Sequence, residues 1–164
     1  MLRGTIWLAV AAWAVSEVLR AGGPPGRAAR AAFTAGALLL AVHTAAAFQL
    51  HHGWSHAEAF SHTALRTEQM TGVASGSGLY LNYAFIALWL ADAAWWWLRP
   101  DAYLHRARLA DALVFAFFVF MMVNGAVVFA AGPMRLFGAA AVAAALAARL
   151  TARAPRNQLQ GERA

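Results

Sequence analysis

Apolar residues run along this chain in long blocks rather than alternating with polar ones, and the blocks end at arginine, glycine or proline. A run of about eighteen or more apolar residues with few charges has the length of a helix crossing the hydrocarbon core of a bilayer. Blocks of this kind occupy, wholly or in part, residues 4–19, 31–50, 79–98, 109–131 and 136–150. They predict an all-α integral membrane protein: a single domain over residues 1–150, built as a bundle of about five transmembrane helices.

The punctuation between blocks is local chemistry. Gly22-Gly23-Pro24-Pro25-Gly26 cannot continue a helix, and Arg99-Pro100 and Gly132-Pro133 close two later blocks. Residues 51–78 form a histidine-rich outer loop. Within it, Ser55 and Glu58 have the spacing of a capping box and Thr71-Gly72 supplies a stop, which predicts a short amphipathic helix from Ser55 to about Met70. Residues 151–164 read as a disordered cytoplasmic tail. A cleaved signal peptide is the competing reading of the first block. No small-x-small site follows it, and charge is heavier after it than before, so it is read as a retained span.

Composition strengthens this picture: 62% of the residues are hydrophobic, against about 45–50% in an ordinary soluble domain. The net charge of +6 is carried by arginines at block ends rather than by a basic stripe, so the partner it implies is the lipid bilayer and not nucleic acid. Ten arginines fall on one side of the expected topology (Arg20, Arg27, Arg30, Arg99, Arg106, Arg108 and four after residue 148) and three on the other (Arg3, Arg66 and Arg135). By the positive-inside rule the N-terminus and histidine loop lie outside and the C-terminus inside. The arginine-only, alanine-rich style suggests the plasma membrane of a bacterium. No internal repeat suggests a transporter made of inverted halves.

The chain has no cysteine, so a metal site must use nitrogen and oxygen ligands. Five of its six histidines fall between His43 and His62. His52 and His56 have the four-residue spacing of one helix face, as do Glu58 and His62. His43 lies about two turns from His51, within the apolar block, where an ionisable group must find a partner or a watery cavity. His43, His51, His52, His56, His62 and Glu58 are therefore the candidate ligands for a transition metal (copper, iron or zinc) or for haem b with His43 as one axial ligand. Anchoring at the interface and helix-to-helix hydrogen bonding, for example from His43 to Asn124, is the plainer account of any one of them.

A second group, Glu17, Asp92 and Asp111 with Arg20, Arg99 and Arg108 close in sequence, sits near the opposite ends of three spans. Charge pairing explains most of it. Asp92 lies deeper, and with Asp111, Glu17 and Asn124 it outlines a candidate proton or ion path. Trp95-Trp96-Trp97 and the phenylalanines from Phe115 to Phe120 read as belt and packing residues. The function expected is a membrane metal- or haem-binding protein, and, if an enzyme, an oxidoreductase with Tyr80 and Tyr83 beside the site. The alternatives are a cation or proton transporter or channel, and an accessory subunit of a larger membrane complex; the protein partner expected is a second copy in a homo-oligomer or such a complex. No family is recognised: one histidine cluster is too few for the boxes of membrane desaturases, and the tryptophans miss the motif of tryptophan-rich sensory proteins.

Overall fold

A computed structural model describes residues 2–23 and 26–153. Among these residues every regular element is helical: α1 (Leu2–Ala21), α2 (Arg27–Ala47), α3 (His56–Thr71), α4 (Gly78–Leu98), α5 (Pro100–Leu104), α6 (Arg108–Val123) and α7 (Pro133–Arg153). Two π-helical turns, Phe48–His52 and Asn124–Val128, continue α2 and α6. Four stretches are long and apolar enough to cross a membrane: Gly4–Ala21, Arg27–His52, Arg108–Val128 and Pro133–Ala152. α4 has the length, at 21 residues, but with Asn82, Asp92 and a tryptophan-rich end it is not among those four. The expected polar tail is helical as far as Arg153, and the rest of it lies outside the described residues.

The breaks have the causes their residues suggest. Arg99, forced out of helical geometry by the proline after it, takes φ −141° and ψ 65°, and Pro100 then opens α5 at its first turn. α5 was not foreseen; the sequence offered only a short polar linker there. The Ser55 hydroxyl accepts from the Glu58 amide at 3.3 Å and caps α3, while Gly72, at φ 77°, ends it.

α1 and α2 form an antiparallel hairpin, with α7 against α1 and α4 against α2; α6 and its π turn close the bundle on α7 and α4. Small residues let the helices approach closely at two points. Gly36 permits one such approach, since a Cβ there would lie 2.6 Å from the Trp89 ring. Gly138 permits another, with no room for a Cβ beside the Ala126 carbonyl. Phe118 is the centre of the core: its ring lies 5.6 Å from Phe33, 4.9 Å from Phe85 and 5.1 Å from Trp89, joining α2, α4 and α6. Of the tryptophan triplet, only Trp96 is buried; it stacks on Tyr103 at 4.8 Å, while Trp95 and Trp97 face outward.

The bundle has two chemically distinct ends. The ends of α1, α4 and α7 meet α5 and the start of α6 at an arginine-rich end. The start of α1, the end of α2, α3, the start of α4 and the π turn after α6 surround a histidine-rich end.

Candidate functional site

A cavity of about 320 Å³ opens among α1, α2, α3, α4 and α6 toward the histidine-rich end. Its floor is apolar: Trp89, Phe85, Met121 and Met122. Its polar groups are His43, His52, His62, Asn82 and Tyr83, with Thr44 and Thr63 beside them. Both π turns border it, the first through Phe48 and His52 and the second through Gly125 and Ala126. π turns are uncommon and recur at functional sites, because the extra residue redirects side chains and loosens backbone pairing.

That extra residue changes which histidine follows His43. A regular helix would carry His51 around to the face of His43; with the wider turn at Phe48–His52, His52 lines the cavity instead, and His51 is exposed. His43 Nδ1 is hydrogen bonded to Thr5 Oγ1 at 3.0 Å, tying α2 to α1. Asn124, a foreseen partner for His43, donates its amide to the Phe120 carbonyl at 2.8 Å.

After His52 the chain reverses through Gly53 (φ 52°) and Trp54 (φ 59°). Glycine takes this conformation freely, whereas for tryptophan it is strained and must be held by its surroundings. Trp54 is held by its indole N–H, which donates to Gln49 Oε1 at 2.6 Å. The reversal separates His52 and His56 onto different helices, so their four-residue spacing does not make a shared face. His52 instead meets His62 of α3, with ring centres 5.3 Å apart. His56 sits between two tyrosines of α4, with Nδ1 3.2 Å from the Tyr83 hydroxyl and Nε2 3.4 Å from that of Tyr80. Glu58 occupies the first turn of α3, exposed. Of the expected ligands, the cavity thus brings together His43, His52 and His62 but not His51, His56 or Glu58. Among the described residues no three histidine or carboxylate side chains are grouped so as to hold a metal ion.

At the other end the expected carboxylates do converge, on Arg20 as expected and on Arg106 and Arg149 in place of Arg99 and Arg108. Asp92, 5% exposed, accepts from Arg106 Nη1 at 2.7 Å and from the Tyr103 hydroxyl at 2.9 Å. Asp111 receives Arg106 at 2.6 Å and Arg149 at 3.0 Å. Glu17 pairs with Arg20 at 3.2 Å and Arg149 at 3.1 Å. The neighbours in sequence, Arg99 and Arg108, are exposed; the unforeseen α5 turns the chain so that Arg106 and Tyr103 point inward in their place. Burial pushes the Tyr103 phenol well above its ordinary range, keeping it a proton donor to Asp92. Three guanidiniums against three carboxylates leave little net charge, and the arrangement serves as a staple between helices.

No known protein family, no curated protein and no solved structure matches this chain.

Proposed function

We propose that this chain is a five-span integral membrane protein that binds a small, largely apolar molecule or cofactor in the histidine-rich cavity. Its N-terminus and that cavity face outside and its C-terminus faces the cytoplasm, in the plasma membrane of a bacterium. The observation that carries the binding reading is the cavity itself: an apolar floor, a few convergent polar groups and two π turns in its lining, the combination typical of ligand sites.

α4 is counted as the fifth span because it runs between the same two ends as its neighbours. Tyr83 near its start borders the cavity and Trp96 near its close stacks in the arginine-rich end. Its 21 residues reach about 30 Å, the thickness of the hydrocarbon core. The polar group that lowers its hydropathy most deeply, Asp92, is fully paired inside the bundle. Orientation follows from the arginine count.

Imidazole makes a transition metal or haem b the cofactor class of choice, and an oxidoreductase the enzyme class that would use it. The transport reading draws less support, since Asp92, Asp111 and Glu17 are each engaged by arginine. The test is solvent extraction with mass spectrometry, plus an absorbance spectrum, on protein purified in mild detergent. It is paired with two cavity-filling variants, Gly125→Leu, where no atom lies within 4 Å of an added Cβ, and Ala47→Phe. A stoichiometric molecule, or a Soret band, that is depleted in either folded variant supports the reading. Natural protein that carries nothing, or a molecule retained in both variants, overturns it.

A further inference from the structure

Two imidazoles stand side by side at the rim of the cavity. His52 and His62 come from different elements, the π turn and α3, and their ring centres are 5.3 Å apart. Two metal–imidazole bonds of about 2.0–2.1 Å bridge a nitrogen-to-nitrogen gap of roughly 3–4 Å, which is the scale of two rings in contact. No hydrogen bond joins this pair to another side chain among the described residues, whereas His43 bonds Thr5 and His56 bonds Tyr80 and Tyr83.

The backbone between them points the same way. His52 reaches the rim through the register shift of the π turn, and α3 folds back over it through the left-handed pair Gly53 and Trp54, the second at φ 59°. A strained non-glycine residue of this kind is costly and is characteristic of ligand clamps. Two departures from regular backbone, on either side of one histidine, have the common effect of aiming it at the other.

We infer that His52 and His62 form a two-imidazole site for a late first-row transition-metal ion at the mouth of the cavity. Neutral nitrogen donors with no thiolate suit zinc, copper, nickel and cobalt. Two protein ligands leave coordination positions open, and the cavity lies directly beneath, with Asn82 and Tyr83 beside it. The remaining positions are filled by an oxygen or nitrogen donor of the cavity's occupant, so the ion is the handle by which a molecule with an apolar body and one donor atom is held. This rests on the binding function proposed above and specifies its ligand class.

The experiment titrates metal-stripped, full-length protein in mild detergent with Co²⁺, follows the visible absorbance of the bound ion, and displaces it with Zn²⁺. One Co²⁺ per chain is expected. His52→Ala and His62→Ala should each weaken binding on the order of 100-fold or more, since removing even outer-shell partners of a metal costs about 10–100-fold. His56→Ala should leave it unchanged. Circular dichroism checks folding, and His62→Gln, gentler on α3, replaces His62→Ala if that variant fails to fold. Absence of saturable Co²⁺ binding in the natural protein, or equal binding in the His52 and His62 variants, overturns the proposal. The two readings fail separately: natural protein that carries a co-purifying molecule but binds no Co²⁺ sinks the metal site alone, whereas natural protein that carries no molecule sinks the parent reading even where Co²⁺ binds.

Discussion

Arg106 reaches two carboxylates at once, Asp92 at 2.7 Å and Asp111 at 2.6 Å, with its own side chain only 5% exposed. Removing it leaves a buried Asp92 with only the Tyr103 hydroxyl, so Arg106→Gln is expected to destabilise the protein by about 3–5 kcal/mol, the usual cost of breaking a buried pair. Arg108→Gln, on an exposed neighbour, should stay within about 0.5 kcal/mol; unfolding midpoints in mild detergent compare the two. Tyr103 adds a pH signature. Its folded pKa is raised above the unfolded value of 10.0, so its contribution is complete below pH 10 and is lost as pH climbs beyond it. Melting temperature against pH from 8 to 11 should fall at the alkaline end, and Tyr103→Phe should flatten that fall. The sequence made Glu17, Asp92 and Asp111 legible as a group, because carboxylates in apolar blocks are conspicuous. It could not pick Arg106 over Arg99 and Arg108, because three arginines within ten residues look alike until a turn decides which one points inward.

The elements divide in the same way. Helix bounds follow from glycine, proline and the Ser55 cap, all written in single residues, so α3 was readable to its ends. The π turns were not: one residue of extra winding leaves no mark on an apolar pattern, yet it exchanges His51 for His52 at the cavity. Distant contacts were equally silent. Nothing beside Gly138 in sequence announces that the Ala126 carbonyl lies against it. A Cβ there meets backbone rather than a yielding side chain, so Gly138→Val is expected to cost about 1–3 kcal/mol. It should also disturb the π turn of Asn124–Val128, which amide hydrogen exchange would register as lost protection at Phe129, whose N–H bonds the Asn124 carbonyl at 2.9 Å. Ser55→Ala should loosen only α3, by about 1 kcal/mol, seen as faster exchange at the Glu58 amide.

At the scale of the whole molecule the topology is open to direct measurement, because a chain without cysteine accepts single labels cleanly. Ser61→Cys on α3 should react with a membrane-impermeant maleimide added to intact cells, and Ala107→Cys, before α6, only after lysis; the reverse pattern would invert the orientation. What the two ends are made of then has a mechanical meaning. Ion pairs lock α1, α4, α6 and α7 to one another at the arginine-rich end, while the histidine-rich end is joined by ring contacts and single hydrogen bonds such as Thr5 to His43. A bundle riveted at one end works like a pair of tongs. With the orientation proposed above, the consequence is that exchange of a cavity ligand is expected at the tips, with the outer leaflet and outer water, and that the cytoplasm meets a closed grip.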